Sequence, residues 1–150
     1  MAIVVVWAQM ALALTLSPMT NLGYWATTGL VAIAFASIGA AHLMRAPGLL
    51  AGLTHLGYPA YLMTLLGVWQ LLGAAAIVVP GLPRVKEWAY AGMIFDLSGA
   101  IVSHLVMGDR LNKIFGPLAL LGLAIASWAQ RPESRILRTL GEVPRSFPTF

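Results

Sequence analysis

Asp96 sits in the middle of an apolar run, KEWAYAGMIFDLSGAIVSHLVMGD (86–109), that also carries Ser103, His104 and Asp109. An ionisable side chain at bilayer depth is costly unless it faces protein, so a carboxyl group here marks the inside of a helix bundle. At 100° per residue, Gly92, Asp96, Gly99 and Ser103 fall on one stripe of a helix, within about 60° of one another. The glycines leave room for a partner or a ligand. Gln70, central in another apolar run, is the expected midplane hydrogen-bonding partner. A neutral amide does not offset charge, and burial without a nearby cation favours the protonated acid. The plainest role for this pair is a lock between two helices; the alternative is proton handling or ligand binding.

The imidazoles add a second cluster. His42, His55 and His104 all fall at one end of the expected helices, together with Asp109 and with Tyr58 and Tyr61. Histidine exchanges protons near neutral pH and ligates metals. His42 and His55 read as interfacial residues with one hydrogen bond each. His104, beside Ser103 and about a turn from Asp109, is the stronger chemical candidate. Asp96 and His104 are therefore the expected acid and base, and Tyr58, Tyr61, Gln70, Gly92, Gly99, Ser103 and Asp109 the expected ligand contacts. The histidines lack the i,i+4 spacing of a helical metal site, and no metal is assigned. Nucleotide-binding, serine-hydrolase and zinc-protease motifs are missing from the sequence. Cysteine is absent too, which excludes thiol nucleophiles, dithiol chemistry by this chain alone and Cys-held metals.

The elements that must position these groups are membrane helices. Of 150 residues, 59% are hydrophobic and 9% charged, too few charges to cover a soluble domain. Mean hydropathy is +0.83. Four apolar segments, 24–44, 61–79, 88–107 and 114–130, are long enough to cross a bilayer core of about 30 Å. The segment 45–60 is rich in Gly and Pro and reads as a loop that could hold a short helix. The expected fold is all-α, an integral-membrane four-helix bundle, with a short accessory apolar helix in residues 1–20 set off at Ser17-Pro18 and Asn21–Gly23. Residues 21–130 form the transmembrane domain and 131–150 a basic tail. Ala32, Ala36 and Ala40, and Gly122 with Ala126, suggest small-residue packing ridges.

Cations orient the bundle. Arg84, Lys86, Arg131, Arg135, Arg138 and Arg145 fall on one side, and Arg45, Arg110 and Lys113 on the other. The positive-inside rule places the first group, and the C-terminus, in the cytoplasm. Trp25, Trp88 and Trp128 gather at that same interface. The net charge of +4 suits lipid headgroups rather than nucleic acid, since no basic patch is interleaved with aromatics. Glu87 is expected to interact with the dipole of the helix it begins.

Residues 55–109 carry Gly57-Tyr58-Pro59 followed by Tyr61, Gly67, Gly73, the Pro80 turn, Glu87-Trp88-Ala89-Tyr90-Ala91-Gly92, and Ser103-His104 with Gly108-Asp109. This pattern resembles the DoxX-like family of small bacterial four-helix membrane proteins, and the likeness runs over about residues 24–130. The resemblance implies the bacterial inner membrane and a lipophilic, quinone-like ligand, since the wider group is named for a membrane subunit of a thiosulfate:quinone oxidoreductase. Many relatives carry Lys where this chain has Gln70, which removes a charge partner for Asp96. No cofactor is encoded. A redox partner protein would supply electrons, and a homodimer could complete a pathway. Two further functions compete with a redox subunit: a cofactor-free enzyme (isomerase, cyclase or epoxide-opening) acting on a lipophilic molecule through Asp96 and His104, and a non-catalytic assembly protein.

Overall fold

A computed structural model describes the backbone of residues 2–132 and the side chains of residues 22–132. Five helices follow in order: α1 (Ala2–Leu43), α2 (Pro47–His55), α3 (Leu62–Val78), α4 (Pro83–Val106) and α5 (Leu111–Ala129). No strand occurs among the described residues. The four long helices touch in a ring, α1 to α3 to α4 to α5 and back to α1. The 22–43 half of α1, α4 and α5 are each long and apolar enough to cross a membrane, and α3 is a shorter apolar helix of 17 residues. At 1.5 Å per residue α3 is about 26 Å long, slightly under the bilayer core.

The expected break between an accessory N-terminal helix and the first span does not occur. Helix α1 runs through Ser17-Pro18 and Asn21–Gly23 for 42 residues, or about 63 Å. A proline removes one amide and its ring crowds the preceding turn, but a helix can absorb this as a kink rather than an end. The 45–60 segment does hold a helix, α2, begun by Pro47 at its first position, where the missing amide has no intrahelical partner to lose.

Helices α1 and α3 approach closely over Gly39 and Gly67. A methyl group on Gly67 would lie 2.8 Å from the Gly39 carbonyl oxygen and 2.8 Å from Leu43. The expected ridges are only partly used. Ala32 and Ala36 pack on the core, but Gly122 is exposed with open space around it. Helix α5 instead buries Ile114, Ala124 and Ser127. Val31, Phe35, Ala74, Ile77, Tyr90, Met93, Leu97 and Ala124 form the core.

Polar groups tie the ends. Lys86 is fully buried, with its Nζ donating to the carbonyls of Ala76 (2.7 Å), Ile77 (3.3 Å) and Val79. These carbonyls belong to the last turn of α3 and its cap, the negative end of that helix. Lys86 is thus a helix cap rather than a headgroup-facing charge. Beside it, Ser127 meets Thr28 (2.6 Å) and Tyr90 (2.7 Å) in a buried hydroxyl cluster that joins α1, α4 and α5. Glu87 lies one turn inside α4, not at its start, and its partners lie in the last turn of α5 and just beyond it: the Trp128 indole N–H (3.0 Å) and Arg131 Nη1 (2.8 Å). Arg131 also lies over the rings of Tyr90 and Trp128, at 5.2 and 5.3 Å. The basic tail beyond residue 132, with Arg135, Arg138 and Arg145, lies outside the described residues.

The Gly67 contact generates a stability prediction. Gly67→Ala should destabilise the bundle by about 1–3 kcal/mol, because the added methyl meets a backbone carbonyl that cannot yield without separating α1 from α3. Gly92→Ala, which meets no atom within 4 Å, should stay within about 0.5 kcal/mol of wild type. Denaturant unfolding of both variants in the same detergent checks the difference.

Candidate functional site

The Gly39/Gly67 contact lies one turn from a hydrogen-bonded chain across three helices. His42 Nδ1 donates to Gln70 Oε1 at 2.8 Å, and Gln70 Nε2 donates to Asp96 Oδ2 at 2.9 Å. His42 and Gln70 are each 7% exposed. The Gln70 amide points its NH2 toward Asp96 and its oxygen toward His42, and His42 must then carry hydrogen on Nδ1. Among the described residues no buried side-chain nitrogen or oxygen lacks a partner.

Gln70 and Asp96 pair as the sequence suggests, but His42 departs from its expected place. His42 ends α1, yet α1 stops well down the side of α3, so its imidazole lies level with the centres of α3 and α4. His104 is eight residues beyond Asp96, about 12 Å along α4. The three histidines therefore form two groups. His55 Nε2 and His104 Nδ1 both donate to Asp109, at 3.0 and 2.7 Å.

Local backbone geometry makes this second group. Helix α4 ends with Gly108 at φ +67°, its N–H bonded to the Leu105 carbonyl and that of Asp109 to the His104 carbonyl. This Schellman ending turns the chain back on the last helical turn, which brings the Asp109 carboxylate to His104. Helix α2 ends in the same way at Gly57, φ +84°, which sets Tyr58 beside α4. The Tyr58 hydroxyl meets Ser103 Oγ at 2.8 Å, and Ser103 Oγ donates to the Gly99 carbonyl at 2.8 Å. The serine proton is thereby used, so Tyr58 is the donor of the pair.

Two cavities meet at Asp96. One, of about 390 Å³, is a cleft between α3 and α4 lined by Trp69, Gly73, Trp88, Gly92 and Met93 among others. The other, of about 500 Å³, lies beneath α2 and is lined by His42, Gly52, His104, Lys113 and Pro117 among others. Phe35, Leu66, Gln70 and Asp96 line both.

The expected contacts sort accordingly. Asp96, Gln70, Gly92 and His104 line a cavity. Tyr58, Ser103 and Asp109 line neither, being engaged with one another's helices and with the histidines. Gly99 and Tyr61 also line neither: Gly99 is exposed with open space around it, and Tyr61 is 68% exposed. The reason is the rotation of α4. Its buried positions are Lys86, Tyr90, Met93 and Leu97, so the Gly92–Gly99 stripe is a flank and only its Asp96 turns toward a partner. His42 belongs to the site and sequence reasoning missed it. Its signal was Gly39, three residues before His42, matched by Gly67, three residues before Gln70.

Asp109 also clamps α2 to α4. Hydrogen bonds from His104, and next from His55, hold its carboxyl below the usual carboxylate range. A carboxyl depressed in the folded state stabilises above its unfolded value and loses that contribution as pH falls through the lower folded value. Amide exchange of α2, corrected for its intrinsic rate, should therefore be constant from neutral pH down to about 4 and rise only below that. Asp109→Asn should raise it at neutral pH and remove the rise below about 4; neutral-pH exchange equal to wild type would mean that no clamp exists.

No curated protein and no solved structure is detectably similar to this chain. The model of the DoxX-like family matches residues 26–127, from the packed half of α1 to the last turn of α5. With its apolar helices and this match over most of its length, the chain is a multi-pass membrane protein that belongs to the DoxX-like family.

Proposed function

We propose that the chain binds a neutral, lipophilic, quinone-like molecule at Asp96 and serves as the membrane subunit of an oxidoreductase system. The observation that carries this reading is the position of Asp96, a carboxyl group at the centre of a membrane helix that lines two cavities at once. Reduction of a quinone to a quinol takes two electrons and two protons. A partner redox protein supplies the electrons, and Asp96 and His104 are the groups that pass protons to the ring oxygens. Gln70 and His42 hold Asp96 in place. On this reading the protein resides in a bacterial inner membrane, with the histidine end outward and the C-terminus cytoplasmic.

A second reading rests on His104. Its Nδ1–H is held by Asp109 at 2.7 Å while its ring lines the same cavity as Asp96. An imidazole oriented by a carboxylate presents its other nitrogen as a base. An acid and a base on one cavity suit a cofactor-free isomerase, cyclase or epoxide-opening enzyme. Such an enzyme turns over without a partner; a redox subunit does not.

Mass spectrometry of small molecules that co-purify with the detergent-extracted protein tests the binding claim. A quinone or another defined lipophile should accompany wild type and be lost from folded Asp96→Asn and His104→Ala. Equal absence from all three folded proteins would favour a purely structural Asp96–Gln70 lock.

A further inference from the structure

The two cavities that share Asp96 differ in their walls and in where they open. The cleft between α3 and α4 has Trp69, Leu72 and Trp88 on its rim, which are 65%, 55% and 74% exposed. Exposed indole and isobutyl groups on helices of a membrane bundle face lipid, so this cleft opens sideways into the bilayer. Gln70 and Asp96 are the polar side chains of its lining. Lys86 is not part of that lining, and its ammonium group caps α3. The second cavity is different. His42, His104 and Lys113 stand on its wall with Asp96, and α2 covers it at the histidine end. Pro117 lies on the same wall, and having no N–H it leaves the Lys113 carbonyl without its helical donor. The wall of this space of about 500 Å³ is mostly apolar, but His42, Gln70, Asp96, His104 and Lys113 give it a line of polar groups beside which several waters find partners.

We propose that Asp96 is served from two sides: the ligand reaches it from the bilayer through the α3/α4 cleft, and protons reach it from the histidine end through the cavity beneath α2. This rests on the function proposed above and adds the routes and the ligand class. The cleft holds an acid and an amide and no base. It therefore disfavours fatty acids and anionic phospholipids, and it suits a neutral head that carries a hydrogen-bonding oxygen on an apolar tail. The hydrogen-bonded chain itself is not the proton route. An amide such as Gln70 would have to pass through its imidic acid form to relay a proton. Gln70 orients Asp96 and His42, and proton exchange uses the cavity that Asp96, His42 and His104 line together.

The absence of cysteine makes the test clean. Ala89 lines the cleft and Ala100 the second cavity, so Ala89→Cys and Ala100→Cys each add one thiol to the full chain in lipid nanodiscs. A charged, membrane-impermeant methanethiosulfonate should label Ala100→Cys at least about tenfold faster than Ala89→Cys, since a charge enters an apolar cleft poorly. A lipid-dissolved alkyl maleimide should reverse the order. A decyl-benzoquinone whose other ring carbons are all substituted, so that thiols do not add to it, should slow maleimide labelling of Ala89→Cys, and palmitate should not. Equal charged-reagent rates at the two sites, or faster labelling of Ala89→Cys, would overturn the two-sided arrangement. The labelling arms need no ligand, so they stand or fall apart from the functional reading. If a co-purifying lipophile is found but decyl-benzoquinone gives no protection, the cleft is not the ligand's route. If labelling divides as expected while neither co-purification nor protection is seen, the routes hold and the ligand reading fails.

Discussion

The contact between α1 and α3 over Gly39 and Gly67 is the constraint on which the site depends. Helices in lipid gain nothing from hiding apolar surface from one another, so close approach over small residues and buried hydrogen bonds must hold them. Gly67 lets the backbone of α1 come within reach of α3, with no room for even a methyl group. One turn further on, the same approach sets His42 against Gln70. Gln70 then spans to Asp96 and draws in α4. A single tight contact thus fixes the depth of an acid, an amide and an imidazole in a medium where any of them left unpaired would be costly.

The two ends of the bundle solve the same problem differently. At the arginine end, the polar groups are consumed by structure. Lys86 satisfies the last carbonyls of α3, Ser127 gathers two hydroxyls, and Glu87 holds Arg131 and Trp128. At the histidine end the polar groups surround a cavity and fasten the short helix above it. Asp109 holds two imidazoles from two different helices. This asymmetry is why the proposed proton chemistry is assigned to the middle and histidine end of the bundle, and why the tightly capped end reads as a fixed base.

The sequence made the spans legible, because 17- to 24-residue apolar runs broken by Gly, Pro and charge have few other readings. It also paired Gln70 with Asp96, through their central positions, and grouped Asp109 with His55 and His104. What it hid was offset and rotation. His42 ends an apolar run and so looks superficial; only the stagger of α1 along α3 puts it at the depth of Asp96. Gly99 shares a stripe with Asp96, but α4 is rotated so that Lys86, Tyr90, Met93 and Leu97 face in. Lys86 counts as a surface cation in a charge tally, and no local pattern reveals that α3 ends beside it. Ser17-Pro18 looks like a helix break because proline's local penalty is visible in sequence while the continuity of a 42-residue helix is not.

The central claim is that His42, Gln70 and Asp96 act as one hydrogen-bonded unit, so that a change at Asp96 is felt at His42. Nitrogen-15 NMR of the His42 imidazole, in wild type and in Asp96→Leu, tests this most directly. In wild type the hydrogen should sit on Nδ1, held there by the Gln70 oxygen. In Asp96→Leu the Gln70 amide is free to turn, and His42, two links away, should shift toward a mixture of tautomers. An unchanged His42 spectrum in the folded variant would contradict the account.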